Sequence, residues 1–210
     1  MKIDFVSDVS CPWCVVGLKS LEAALARVGP DVNAAIHFQP FELNPQMAPE
    51  GEDVVEHITR KYGASADIGR SQEALKARGE ALGFHFNFQK RGRIYNTFDA
   101  HRLLHWAETE GKQYALKNAL FNAYFTAGQD PSNHDVLVSV AGSVGLDEKR
   151  TREILASDEF ATEVRERERF YTQAGIHAVP AVIINDRHLI QGGQPPEVFE
   201  QALRQLAAES

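Results

Sequence analysis

Cys11 and Cys14 are the only two cysteines in the chain, and two residues separate them in Ser7-Asp8-Val9-Ser10-Cys11-Pro12-Trp13-Cys14. An apolar run, Ile3-Asp4-Phe5-Val6, ends just before this stretch, and a helical pattern begins just after it. Cys11 is therefore expected at the mouth of a strand and in the first turn of a helix. Unpaired backbone N–H groups and the positive end of the helix dipole collect there. A thiolate is an anion, so the placement favours ionisation near neutral pH and a nucleophilic sulfur. Cys14 follows one helical turn later, within reach of Cys11 and expected to be the more buried of the two. That arrangement suits attack on a disulfide by Cys11 and release through Cys14. Pro12 stands at the first helical position. Trp13, between the sulfurs, is expected to be partly exposed and to offer a substrate an apolar contact.

Blander readings compete with this one. Two cysteines can be half of a zinc site, but zinc usually takes four ligands with a second closely spaced pair. No second Cys-x-x-Cys exists, and the eight histidines give one pair at helical spacing, His101 and His105, far along the chain. No carboxylate or cysteine is obviously placed to complete a set around that pair, so structural or site-lining roles are preferred for it and no metal is expected. Free cysteines are often inert core residues. The proline between the two sulfurs argues against that, and the redox pair is the preferred reading of a Cys-x-x-Cys at a strand–helix junction.

The elements that must position these residues follow from the hydrophobic pattern. Residues 3–6 read as a short buried strand and 14–28 as a helix, with Leu18, Leu21, Leu25 and Val28 on one face. Gly29-Pro30 stops that helix. Residues 32–39 alternate apolar and polar, a second strand. The crossover rule makes the two strands parallel neighbours. Residues 50–175 are helical almost throughout. Val54, Val55, Ile58 and Tyr62 mark one helix, and Ile68, Leu75 and Leu82 mark another. Phe84, Phe86 and Phe88 form an extended segment packed on the core, with an isolated strand as the alternative. The basic loop 89–93 and the charged run 163–169 read as solvated surface. Further helices cover 98–110, 114–128, 136–144, 147–155 and 157–174. Residues 181–185 and 188–190 form a hairpin about Asp186-Arg187, and Pro195-Pro196 opens a final helix. A β-β-α ending thus closes what β-α-β began.

Composition narrows the classes. Hydrophobic residues make up 43% of the 210, enough for a real core, and the net charge of −7 gives no support for nucleic-acid binding. No apolar run approaches the roughly 20 residues of a membrane span. The start, Met1-Lys2-Ile3-Asp4, lacks the pattern of a secretory signal. Taken as a complete chain, the protein is expected to be soluble and cytoplasmic, where two cysteines make a poor structural bridge.

Four motifs in this order resemble the DsbA-like branch of the thioredoxin fold, and within it the FrnE-like oxidoreductases. They are Ser7-Asp8-x-x-Cys11-Pro12-Trp13-Cys14, Phe41-Glu42-Leu43-Asn44-Pro45, Asn96-Thr97-x-x-Ala100-His101-Arg102 and Gly175-Ile176-x-x-Val179-Pro180. The resemblance covers essentially the whole chain. It implies an α/β thioredoxin fold, residues 1–48 and 175–210, with a large all-helical insertion, residues 49–174. It implies a cis Val179-Pro180 bond whose loop faces the cysteines, so that Val179 and Pro180 join Pro12 and Trp13 in binding substrate. Roles for Asn96, Thr97 and His101 stay open between groove lining and packing. The implied activity is thiol–disulfide exchange with a thiol- or disulfide-containing protein or small molecule. No cofactor is expected beyond the redox-active disulfide, with glutathione a candidate co-substrate. The alternative is a glutathione-dependent isomerase or transferase resembling hydroxychromene carboxylate isomerases and kappa-class transferases, which typically carry serine where Cys11 stands. Some FrnE-like chains carry extra cysteines near the C-terminus. This chain has none, which excludes a relay to a second internal dithiol. A homodimer is left open.

Overall fold

The computed structural model describes residues 1–209. At its centre is strand β1 (Lys2–Ser7), parallel to β2 (Ala35–Pro40) on one side and antiparallel to β5 (Ala181–Ile184) on the other. The edge strand β6 (His188–Gln191) pairs antiparallel with β5, giving the order β2-β1-β5-β6. The parallel β1–β2 pair and the β5–β6 hairpin are those the hydrophobic pattern predicts. From Ile3 to Ser7 every residue of β1 is buried, because helices cover both faces. That is why its sequence reads as a continuous run with little alternation.

Alternate residues of β1 still go to opposite faces. Ile3 and Phe5 join the core formed with α1 (Pro12–Val28) and α9 (Pro196–Ala208), which pack on each other. Val6 points the other way, to a smaller cluster with Ile176 and Tyr171 of α8 (Ala161–Gln173). Asp4, on that second face, is buried and takes a 2.7 Å bond from the Gln39 side chain and a 2.9 Å ion pair from Lys2.

Between β2 and α8 the chain is largely helical: α2 (Val54–Tyr62), α3 (Ile68–Ala81), α4 (Phe98–Thr109), α5 (Gln113–Phe121), α6 (His134–Ser143) and α7 (Glu148–Leu155). A π-helical turn, Asn122–Thr126, extends α5 and carries buried Tyr124 and Phe125 into the main core. Helices α4 to α7 enclose a second apolar core. Phe84, Phe86 and Phe88 form no strand. They lie in an irregular segment against the main core, Phe84 edge-on to Phe86 at 4.8 Å between ring centres and Phe86 stacked on Phe88 at 5.2 Å.

Two charged stretches depart from the solvated-surface expectation. In the basic loop, Arg91 lies 5.1 Å from the ring centres of both Tyr124 and Phe125 and donates to the Tyr124 hydroxyl. Arg93 sits in β4 (Arg93–Ile94), paired with β3 (Glu52–Asp53), and donates to the Glu50 and Gly51 carbonyls. On α8, Arg165 lies 3.7 Å above the Phe98 ring and pairs with Glu42 and Glu168. Charge spacing along one helix does not show which other element will lie across it.

Candidate active site

Strand β1 ends at Ser7, and three residues carry the chain to Cys11, the N-cap of α1. Cys11 has extended backbone geometry, φ −91° and ψ 111°, and Pro12 follows at the first helical position. The Cys14 N–H, in the first turn, is shared between the Cys11 carbonyl oxygen at 3.1 Å and the Cys11 sulfur at 3.3 Å. Both thiols are free; Cys11 is 4% exposed and Cys14 0%. Burial, together with the hydrogen bond and charge of Cys11, pushes the Cys14 thiol well above its ordinary value. Cys11 sulfur also lies 3.8 Å from the Val179 carbonyl oxygen, to which the thiol donates.

The Val179–Pro180 peptide is cis. Its approach to the cysteines depends on Gly17 of α1, where a Cβ would come within 2.9 Å of Pro180 Cγ. Helix and proline ring therefore touch only because no side chain intervenes. A second close approach holds Trp13. A Cβ on Gly193 would meet Trp13 Cε3 at 3.0 Å. The Arg78 guanidinium lies 5.3 Å over the indole and donates at 2.9 Å to the Gly193 carbonyl. Trp13 is nonetheless 39% exposed, with its free edge on the cleft described next.

Cys11, Pro12, Trp13 and Val179 form one wall of an open cleft of about 520 Å³. The opposite wall comes from α2 and α3, through Ile58, Lys61, Tyr62 and Leu75 among others. The apolar stripe of α2 is therefore only partly core. Val54 is buried, Val55 and Tyr62 are exposed, and Ile58 and Tyr62 face the cleft. Arg91 also lines the cleft.

Behind the cysteines the remaining motifs converge on Asp8, which is buried. Its carboxylate accepts from the Leu43 N–H at 2.8 Å, the Ser10 hydroxyl at 3.1 Å and His101 Nε2 at 3.3 Å. Burial works to raise this carboxyl. The bond and charge of His101, the Leu43 amide and the Thr97 hydroxyl outweigh it, and the carboxyl stays below its ordinary value. His101 also lies 3.1 Å from the Phe41 carbonyl oxygen. Val9, in the same loop, inserts into the core of α4 to α7. The loop that presents Cys11 is thus fastened to β1, to the turn after β2 and to α4.

His101 accordingly lies behind the site and is absent from the cleft lining. Asn96 accepts from the Phe98 N–H at 2.9 Å at the start of α4, and Thr97 is buried. Arg102 donates to the Ile154, Ser157 and Glu159 carbonyls and ties α4 to the end of α7. His105 packs on the Phe160 ring, 5.4 Å between centres.

Sequence reasoning did not single out Lys117, a fully buried lysine on α5. Its position between Tyr114 and Phe121 on one helical stripe was the available signal. The walls contributed by α2 and α3 were likewise not assigned to a site.

The comparisons with known proteins agree with this architecture. The family model for the DSBA-like thioredoxin domain matches residues 2–204. The chain belongs to the DSBA-like thioredoxin family. It is 30% identical to the uncharacterized protein YwbO of Bacillus subtilis (strain 168) over 202 residues, 96% of this chain and 94% of that one. Among solved structures, it is similar to a probable DsbA oxidoreductase, SCO1869, from Streptomyces coelicolor. The TM-score is 0.92 at 34% identity, covering 100% of this chain and 91% of the other. It shares its fold, at TM-score 0.68 and 14% identity over 99% of this chain and 100% of the other, with the cytosolic disulfide reductase DsbM of Pseudomonas aeruginosa, solved with GSH.

Proposed function

We propose that the protein is a thiol–disulfide oxidoreductase in which Cys11 is the nucleophile and Cys14 the resolving thiol. The observation that carries this reading is the Cys14 N–H aimed at Cys11 sulfur at 3.3 Å, at the N-terminus of α1 and on the wall of a cleft. A negative sulfur there gains a hydrogen bond and the positive end of the helix. Cys11 thiolate attacks a substrate disulfide RS–SR. A Cys11–SR bond forms, the S–S bond breaks, and one RS⁻ leaves. Cys14, deprotonated, then attacks Cys11 sulfur, a Cys11–Cys14 disulfide forms, and the second RS⁻ leaves. Two electrons pass from the dithiol to the substrate, and the reverse order oxidises a client.

The cleft volume lies within the usual range for small-molecule sites. Trp13 and Val179 would hold the apolar part of a substrate beside Cys11, and the Val179 backbone would pair with an extended chain. Lys61 and Arg91 give the cleft two cations for an acidic thiol such as glutathione, here a co-substrate. That the related fold of DsbM was solved with GSH supports this choice. A cytoplasmic location would supply it. The isomerase alternative leaves Cys14 without work, whereas burial directly behind Cys11 is what a resolving thiol needs.

The test uses Cys11→Ser and Cys14→Ser. Cys11→Ser is expected to abolish reduction of insulin disulfides, and Cys14→Ser to accumulate a mixed disulfide visible by mass. Full activity in Cys11→Ser would end the reading.

A further inference from the structure

Resting on the dithiol reading and deepening it, we propose that His57 is the general base that takes the proton of a thiol entering the cleft to reduce the Cys11–Cys14 disulfide. His57 stands on α2, in the wall opposite Cys11, and the same cleft of about 520 Å³ touches both residues. Leu43 and Asn44 join the two walls. The Leu43 N–H is bonded to Asp8 behind Cys11, while Asn44 and His57 together border both the cleft and a second open hollow. A thiol lying between the walls therefore has a sulfur to attack on one side and an imidazole on the other. The base has to reach the proton of that thiol; it does not have to touch Cys11.

The ring is held in one orientation. Its Nδ1 lies 2.7 Å from Glu52 Oε2, on β3. Arg60, nearly a turn further along α2, grips the same carboxylate through Nε at 3.0 Å and Nη2 at 2.6 Å. Arg60 Nη2 also lies 3.4 Å from His57 Nδ1, too far to displace the 2.7 Å bond. The bonds from Arg60 and His57 hold the Glu52 carboxyl down at about 2. An ionised carboxylate can only accept, so Nδ1 carries the hydrogen and the lone pair of the neutral ring is on Nε2. Glu52 and Arg60 border the second hollow and are absent from the cleft lining. The two ring nitrogens point in nearly opposite directions, which turns Nε2 to the cleft. Nε2 has no hydrogen-bond partner among the described residues and is not sealed from solvent. A ring that only tied α2 to β3 would use Nδ1 alone; the second nitrogen, open on the cleft, is available to a substrate. Lys61 on α2, Asp67 capping α3 and Arg91 are the other charged groups on the cleft, and Arg93 of β4 is bonded to the Glu50 and Gly51 carbonyls.

The incoming thiol needs such a group. An ordinary thiol ionises near 8.5, so at pH 7 only about 3% is thiolate, and full deprotonation in the cleft can speed attack by at most about 30-fold. The S–H proton of a low-molecular-weight thiol RSH passes to His57 Nε2. RS⁻ attacks Cys11 sulfur, a Cys11–SR bond forms, the Cys11–Cys14 bond breaks, and Cys14 leaves as the thiolate. Once His57 has passed its proton on, a second RSH is deprotonated in the same way. This RS⁻ attacks the substrate sulfur of Cys11–SR, an RS–SR bond forms, and Cys11 leaves as the thiolate. Two electrons pass from the thiols to the protein disulfide, and the two thiol protons end on the Cys11 and Cys14 sulfurs. The balance is two RSH plus the Cys11–Cys14 disulfide to RS–SR plus the dithiol. In the reverse direction the imidazolium returns its proton to the departing RS⁻.

The test mixes the oxidised protein with excess glutathione, quenches with acid and follows loss of the Cys11–Cys14 disulfide by mass. Unaided attack follows the thiolate fraction, so the logarithm of its rate rises by about 0.9 between pH 7 and pH 8. With a base that takes the proton, the native rise is expected to be less than about 0.5. In His57→Gln the rate at pH 7 is expected to fall at least fivefold and the steep rise to return. At pH 9.5, where the thiol ionises without help, variant and native are expected to agree within twofold. A variant as fast as native at pH 7 would overturn the proposal. So would a variant slowed equally at pH 7 and pH 9.5, the mark of a merely structural ring. If His57→Gln does not fold, the native profile decides alone, and a rise of about 0.9 overturns the proposal. An oxidised native protein that glutathione leaves intact at both pH values would instead overturn the dithiol reading itself.

Discussion

Lys117→Met is expected to make the reduced protein more stable at neutral pH. The methionine side chain has nearly the length and volume of the lysine stem, so it fills the same space between Phe38 and Phe121 without the amine. The gain can be worked from the amine's titration. Burial lowers its value from an ordinary 10.5 to about 8 on folding. At 1.36 kcal/mol per unit, the charged form is disfavoured in the native state by roughly 3 kcal/mol. Below pH 8 both folded and unfolded chains carry the proton, and native lysine bears that cost in full. Between pH 8 and 10.5 the unfolded chain holds the proton and the folded one does not. Stability of the native protein therefore rises with pH in that window, and the advantage of methionine shrinks. Urea unfolding under reducing conditions should give a gain of about 3 kcal/mol at pH 7, falling to about half by pH 9.5. A destabilised variant at pH 7, or a gain that is the same at both pH values, would refute the reasoning. The first result would mean that the ring faces and nearby anions already satisfy the ammonium.

Other expectations follow from the same geometry. Gly17→Ala, whose Cβ would stand 2.9 Å from a ring atom of Pro180, should push the Val179 loop from Cys11. It should cost about 1–3 kcal/mol and cut disulfide reductase turnover several-fold, while far-UV circular dichroism stays native. Glu42 is raised to about 7 by burial and by the charge of Glu168. Its folded value exceeds its unfolded one, so ionisation costs stability as pH rises from 4.5 through 7. Glu42→Gln should then gain about 1–2 kcal/mol at pH 8, allowing for partial screening, and almost nothing at pH 4.5. Thermal melts at the two values check this. Arg102→Leu removes the donors of three carbonyls after and within α7 and should cost about 2–4 kcal/mol in urea unfolding. Its turnover per folded molecule should stay native, because Arg102 is absent from the cleft lining.

The framework was legible because each of its parts has a local signature. Residues 3–6, the helix after Cys14 and the alternation around Phe38 declare β1, α1 and β2 without help from distant residues. The Asp186-Arg187 turn does the same for the hairpin, and a Cys-x-x-Cys between strand and helix identifies its own chemistry. What surrounds that chemistry was hidden for the opposite reason. Whether Ile58 and Tyr62 face core or cleft depends on where α2 docks, which no period of 3.6 encodes. His101, read between groove lining and packing, is held behind the site because Asp8 and the Phe41 carbonyl, far off in the chain, lie beside its ring. Arg165 stands in a run of alternating charge that reads as solvated, yet Phe98 and Glu42 from other elements engage its guanidinium while part of the side chain stays exposed. Lys117 shares its helical stripe with Phe121, and only the closing of β2 and α1 over that stripe makes it an interior amine.

The unequal depth of the two sulfurs gives the dithiol a single doorway. Cys14 has no surface at all, and Cys11 shows the outside a sliver at the cleft wall. An alkylating reagent or a peroxide must therefore meet Cys11 first. A sulfenic acid formed on Cys11 would have a thiol one helical turn away, ready to condense with it and expel water before a second oxidant arrives. The same recess that orders exchange would shield the pair from irreversible damage.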